Sequence, residues 1–127
     1  MGPPPPNSTV LRFVLDQLEA LGGVSSRRMF GGAGLYHRGI FFAILFDDFL
    51  YFKVDDRNRP DYLAANMEPF RPYPDRKVTF QYYRVPADVL EDRRLLRAWA
   101  EKAVGAARDG RATPPRKTSK RRKRRGR

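Results

Sequence analysis

The sequence contains no cysteine and a single histidine, His37. Without cysteine the chain cannot form disulfides or thiolate metal sites, and a reducing compartment is expected. A single imidazole is not enough to form a zinc site from protein ligands alone. No apolar run reaches the roughly 18–20 residues that span a bilayer. The start, Met1-Gly2 and then Pro3–Pro6, lacks the basic and apolar regions of a secretion signal. We expect a cytoplasmic protein that uses no membrane, metal or cofactor.

The positive charge is concentrated at the C-terminus. The chain has 127 residues and a net charge of +12, from 26 Lys and Arg against 14 Asp and Glu. Residues 111–127 hold ten of the cations and no acid, which leaves 16 cations and 14 acids, a net of +2, in the first 110. Attraction to polyanions is therefore expected from this segment rather than from the folded part.

Helical spacing and β-prone runs predict one α+β domain. Apolar periodicity predicts helices over about 9–21, about 57–66, and from Pro86 to Gly110, with Gly22-Gly23 ending the first. Strands are predicted at 27–30 resuming at 34–36, at 40–46, at 49–54 and at 77–85, with 68–74 as an edge strand or loop. The acidic pair Asp47-Asp48 joins two of them as a hairpin. The order α-β-β-β-α-β-β-α predicts a two-layer fold, an antiparallel sheet of about five strands covered by helices.

The boundaries follow from composition. Residues 1–7 form a Pro-rich leader expected to be disordered, and residues 8–110 form the folded domain. Residues 111–127 lack an apolar period, so they cannot bury enough surface to offset the entropy of ordering, and a disordered basic tail is expected.

A family resemblance is carried by a glycine-rich motif and the strands after it. The motif consists of Arg28, Met29, Phe30, Gly31, Gly32 and Gly34. Together with the runs at 39–43, 50–55, 68–70 and 82–90, it resembles the N-terminal domain of the TfoX/Sxy competence-regulator family, over roughly residues 8–108.

The resemblance implies a two-layer α+β fold with three strands, a helix and two further strands between its terminal helices. It also implies a cytoplasmic bacterial protein that acts in competence and transcription regulation together with a regulator protein. It assigns no catalytic residue. Founding members carry a second, C-terminal domain, in whose place this chain has its basic tail, so the resemblance alone does not carry the competence role over.

Three motifs invite a chemical interpretation, and each has a structural alternative that we favour. Gly32-Ala33-Gly34 begins like a dinucleotide fingerprint, but His37 stands where the third glycine belongs and a strand follows instead of a helix. A turn or bulge that needs positive φ explains the glycines better. His37 is expected in an exposed turn. The pairs Asp47-Asp48 and Asp55-Asp56 are expected to serve turns and helix caps rather than acid–base chemistry.

The strands are rich in aromatic residues. About two-thirds of nine rings are expected to pack against the helices: Phe41, Phe42, Phe46, Phe49, Tyr51, Phe52, Phe80, Tyr82 and Tyr83. The remainder, near Arg27, Lys53 or Arg84, could form a dimer or partner surface, or stack on nucleic-acid bases.

The C-terminal cations are the predicted nucleic-acid-binding residues: Arg116, Lys117, Lys120, Arg121, Arg122, Lys123, Arg124 and Arg125. A phosphate polymer that neutralises them releases condensed counterions, and no aromatic residue is interleaved to read sequence. We therefore predict a non-enzymatic adaptor that tethers to the DNA or RNA backbone. Two alternatives stay open: a self-associating module, such as a homodimer, with a solubilising tail, and a small-ligand binder.

Overall fold

In the computed structural model, residues 8–29, 31–71 and 79–112 are described. The helices are α1 (Ser8–Gln17), α2 (Arg59–Ala64), α3 (Ala87–Leu90) and α4 (Arg93–Ala112), with a 3₁₀ turn at Glu19–Leu21. The strands are β1 (Val24–Met29), β2 (Gly32–His37), β3 (Ile40–Phe46), β4 (Phe49–Lys53), β5 (Pro69–Phe70) and β6 (Thr79–Arg84). They form one antiparallel six-stranded sheet in the order β1-β2-β3-β4-β6-β5. The α+β class is confirmed.

The first four strands form a meander of two-residue hairpins. Arg38 and Gly39 separate β2 from β3, and Asp47 and Asp48 separate β3 from β4, all four with positive φ. Positive φ at both central residues matches the right-handed twist of the flanking strands. The hairpin predicted at Asp47-Asp48 is confirmed. The predicted first strand is instead two strands, because the chain reverses between Met29 and Gly32, where Gly31 has φ of 78°.

The helix ends differ from the predictions in detail. The predicted helix 9–21 is α1 followed by the 3₁₀ turn, and Gly22 and Gly23 end it with positive φ as expected. α2 is shorter than predicted because Pro60, which lacks an N–H, stands in its first turn. Gly110 does not close the last helix, since α4 continues to Ala112.

All four helices pack on one face of the sheet. The buried cluster joins Val14 of α1, Tyr62 of α2, Val89 of α3 and Leu96 of α4 to inward residues of the strands. The inward strand residues in this cluster are Ala33, Leu35, Phe42, Ala43, Leu45, Leu50, Phe52 and Tyr83. A bulge turns both Phe42 and Ala43 inward, because Leu35 pairs with Ala43 while Tyr36 pairs with Phe41. The fold is therefore two-layered, with the other face of the sheet pointing away from the helices.

Candidate functional site

The predicted nucleic-acid-binding residues, 116 to 125, lie outside the described part of the chain, as do residues 1–7. The motif residue Phe30 is likewise not described. The other motif residues occupy the β1–β2 hairpin, where Arg28 pairs with Ala33 and Met29 with Gly32.

The glycines of the motif have two different roles. Only Gly31 needs positive φ for the turn. A Cβ at Gly32 would collide with the backbone carbonyl oxygen of Leu45, and one at Gly34 would lie 2.8 Å from Cε1 of Phe41. Gly32 and Gly34 are thus strand residues that let neighbouring atoms approach closely, rather than the positive-φ positions that the sequence predicted. Since Met29 and Phe41 cover Gly34, these glycines do not form a phosphate cradle.

The histidine and the aspartate pairs take structural positions. His37 is the last residue of β2 and is half-buried, not an exposed turn residue as predicted. Its Nδ1 has no hydrogen-bond partner within the described residues.

Asp55 accepts hydrogen bonds from the backbone N–H and the guanidinium of Arg57, which lowers the pKa of Asp55. Arg57 also contacts Asp109 at 2.7 Å, so this group fastens the loop before α2 to α4. Within residues 8–29, 31–71 and 79–112, no cluster of metal-ligating side chains occurs.

A row of aromatic rings crosses the outer face of the sheet. Tyr36 of β2 contacts Phe41 of β3 with ring centroids 5.2 Å apart, and Phe41 contacts Tyr82 of β6 at 5.8 Å. We call these three rings the aromatic row. All three are half-buried, so each keeps some surface in contact with solvent. Burial, with a smaller contribution from nearby Tyr36, raises the pKa of Tyr82 to about 12, so its hydroxyl is neutral at physiological pH.

A cation lies against the first and the last ring of the aromatic row. The guanidinium carbon of Arg27 is 5.7 Å from the Tyr36 ring centroid, and Nζ of Lys53 is 5.3 Å from that of Tyr82. Lys53 also donates a hydrogen bond to Oε1 of Gln81 at 3.0 Å. Partial burial lowers the pKa of Lys53, against an opposing effect of Asp55. Such cation–π contacts hold both charges at the surface of the rings.

A second aromatic group lies at the opposite end of the same face. Phe70 of β5 packs edge-on against Phe46 and Tyr51, at centroid distances of 5.6 and 4.8 Å. The guanidinium of Arg84 lies 3.7 Å from the centroid of Phe49. Phe70 is buried, so β5 covers this second group.

The division of the rings corrects the prediction from sequence. Phe42, Phe52 and Tyr83 face the helices, whereas Phe41, Phe46, Phe49, Tyr51 and Tyr82 face away; the side chain of Phe80 is not described. The expected two-thirds against the helices is therefore too high. The alternation of residues along β3 and β4 indicated that some rings face away from the helices. The bulge at Phe42 and the covering by β5 could not be predicted from the sequence. The expectation of outward rings near Arg27, Lys53 and Arg84 agrees with the structure.

Comparison with protein families decides the relationship. A family model described as the TfoX N-terminal domain matches residues 16–107. The chain belongs to the TfoX N-terminal domain family. The matched segment runs from α1 to the end of the buried face of α4, so it includes the motif hairpin and the whole outer face. Among curated proteins, none matches the chain.

The TfoX N-terminal domain of this chain therefore has a six-stranded sheet whose aromatic row is covered by none of the described helices. No helix within the described residues has both the length and the apolar character needed to cross a bilayer.

Proposed function

We propose that this chain is a non-enzymatic regulatory adaptor of the TfoX type that attaches to DNA or RNA through its C-terminal cations. The folded domain is proposed to dock on a transcription regulator protein. The observation that carries the attachment is charge separation: six consecutive cations, Lys120 to Arg125, follow a domain of nearly balanced charge. Among the described residues the buried cluster extends from Val14 to Ala107, which all precede the cations in the sequence. Binding is proposed to be electrostatic and independent of sequence.

Salt dependence tests the attachment. In the full chain, replacing residues 120–125 by glutamine should weaken binding to duplex DNA strongly at low salt. It should also flatten the slope of log K against log salt, by up to about 0.9 for each phosphate that the protein no longer neutralises. A control variant, R12Q with R94Q, removes two exposed helical cations and should keep most of the affinity and slope. Equal binding by the 120–125 variant and the unmodified chain would refute the attachment.

Docking on a regulator protein is tested by affinity capture from the native cytoplasm. Capture is done with and without nuclease, and the retained proteins are identified by mass spectrometry. A transcription regulator that stays bound after nuclease treatment supports direct docking. One that dissociates after treatment is held only by the nucleic acid, and docking by the domain is then refuted.

Self-association is a second candidate, favoured by the position of β1. This six-residue strand lies at the edge of the sheet, so one side of its backbone has no strand partner within the described residues. Such edges can pair with a second copy, although Arg27 and Arg28 on the strand oppose this. Light scattering across dilutions would show a concentration-dependent mass if copies pair and a constant monomer mass if they do not.

A further inference from the structure

We propose that the outer face of the sheet binds single-stranded nucleic acid, with bases stacked on the aromatic row and phosphates contacting Arg27 and Lys53. This inference rests on the proposed function, because the same polymer is held by the C-terminal cations. It adds a base-contacting surface on the folded domain to the backbone attachment proposed for the C-terminal cations.

The charges on this face favour binding of an anionic ligand. The cations at its described strand positions are Arg27, Lys53 and Arg84, and within the described strands no Asp or Glu lies on the face. The hairpin acids Asp47 and Asp48 lie at the end of β3, by the second aromatic group. The acid that acts on Lys53, Asp55, is engaged by Arg57. The chain's own C-terminal segment, being cationic, is therefore an unsuitable occupant, whereas a polyanion suits the face.

Among polyanions, the rings favour single-stranded nucleic acid over a duplex. Stacking is open to every base because each has a π-face, and unpaired strands leave those faces accessible whereas a duplex encloses them. Tyr36, Phe41 and Tyr82 form a series of ring contacts across β2, β3 and β6, with a cation against its first ring and another against its last. An extended strand laid along this series meets three rings, and it meets a cation beside the first and the last of them.

The end of α4 lies close to Lys53. A Cβ at Gly110, in the last turns of α4, would lie 4.0 Å from Cε of Lys53. A shallow cavity of about 370 Å³ is lined by both residues together with Gln81 and Asp109. The described part of the chain ends two residues after Gly110, at Ala112. A polymer held by the cations that follow in the sequence is tethered to this end of α4, which raises its effective concentration at the row.

The test compares strands of equal charge with and without bases. Full-length protein is titrated into labelled 12-nucleotide single strands of mixed sequence, as RNA and as DNA, and into an abasic strand of the same length. Anisotropy should show the base-bearing strand bound about tenfold more tightly than the abasic one, consistent with stacking contributions of single bases. Equal affinity for the two strands, or equal competition by polyglutamate of matched charge, would overturn the proposal.

Ring variants locate the preference. Y36L and Y82L keep apolar bulk but remove the stacking surface, and each should reduce the base-to-abasic ratio about three- to tenfold. F13L, at an exposed ring of α1, is the matched control and should leave the ratio unchanged. Circular dichroism verifies that each variant is folded. A folded ring variant with an unchanged ratio would contradict base stacking at the row.

Cross-linking gives a result that does not depend on variant stability. A single strand containing 5-bromouracil is irradiated with unmodified protein, and the adducts are mapped by mass spectrometry. Adducts at Tyr36, Phe41 or Tyr82 support the proposal, and adducts confined to residues 113–127 overturn it.

The 120–125 glutamine variant separates this proposal from the proposed attachment. It should weaken binding of the base-bearing and the abasic strand alike and keep the ratio of their affinities. Unchanged binding of the abasic strand refutes only the attachment.

Discussion

At the scale of single residues, Gly32 and Gly34 differ in the atoms that an added Cβ would contact. At Gly32 the obstacle is the backbone carbonyl of Leu45, and at Gly34 it is the flexible end of Met29 with the edge of Phe41. Backbone in the middle of a sheet moves less readily than a methionine. The arginine-methionine-phenylalanine-glycine-glycine motif is therefore explained by close packing as much as by the turn.

Substitution to alanine measures this difference. G32A should lower the free energy of unfolding by about 3 kcal/mol or more, and G34A by about 1–3 kcal/mol, the usual range for overpacking. G105A, inside α4 with its nearest contact 3.7 Å away, should be neutral or stabilising by up to about 1 kcal/mol. Urea denaturation gives the three values. A G32A variant as stable as the unmodified chain would contradict the close approach.

The partial burial of Tyr82 makes stability depend on alkaline pH. Its pKa is raised to about 12 in the folded state, against about 10 in the unfolded chain. The stabilising contribution is therefore complete below about pH 10 and disappears as the pH rises towards 12, because the unfolded state ionises first. Tyr51 and Tyr62 also have raised pKa values. A Y82F variant keeps both of these tyrosines, so its difference from the unmodified chain reports on Tyr82 alone.

The comparison is made by urea denaturation at about pH 9 and about pH 11. The free energy of unfolding should fall more for the unmodified chain than for Y82F across this interval. Parallel decreases in the two proteins would show that Tyr82 ionises equally easily in the folded and unfolded states.

At the scale of elements, a buried glutamine joins α1 to the α3–α4 connection. Nε2 of Gln17 donates to the carbonyl oxygen of Leu90 at 3.0 Å, and Nε of Arg93 donates to Oε1 of Gln17 at 3.1 Å. Arg93 also pairs with Asp16 at 2.8 Å. Gln17 is only 7% exposed, so its amide is shielded from the water that could replace these partners.

Removing the Gln17 amide should therefore be costly. Q17L leaves the Leu90 carbonyl and Arg93 without this partner and should destabilise the protein by about 1–3 kcal/mol. R97Q removes an exposed ion pair with Glu101 one helical turn away and should cost about 0.5 kcal/mol or less. Thermal and urea unfolding compare the two variants. Equal, small decreases would show that the Gln17 contacts add nothing to the stability.

At the scale of the whole molecule, folding and attachment are assigned to different parts of the chain. The buried cluster draws on residues from Val14 to Ala107, and the C-terminal cations come later in sequence. We expect removal of residues 113–127 to change the free energy of unfolding by less than about 0.5 kcal/mol, within the range of ordinary surface changes. The same removal should abolish most binding to duplex DNA at low salt. A large decrease in stability would show that the segment packs on the domain.

Local sequence features were enough to predict the helices, the hairpin at Asp47-Asp48, the α+β class and the family, because these depend on periodicity, turn residues and a contiguous motif. The position of the excess charge also follows from the sequence, since it is a matter of counting. Which rings face away from the helices could be known only from the folded chain, because the bulge at Phe42 changes the alternation of β3 and Phe70 arrives from a distant strand. The same holds for the aromatic row, which joins residues 36, 41 and 82 and ends at Lys53 beside the end of α4. Strand order and helix placement bring these residues together, and neither is a local property of the chain.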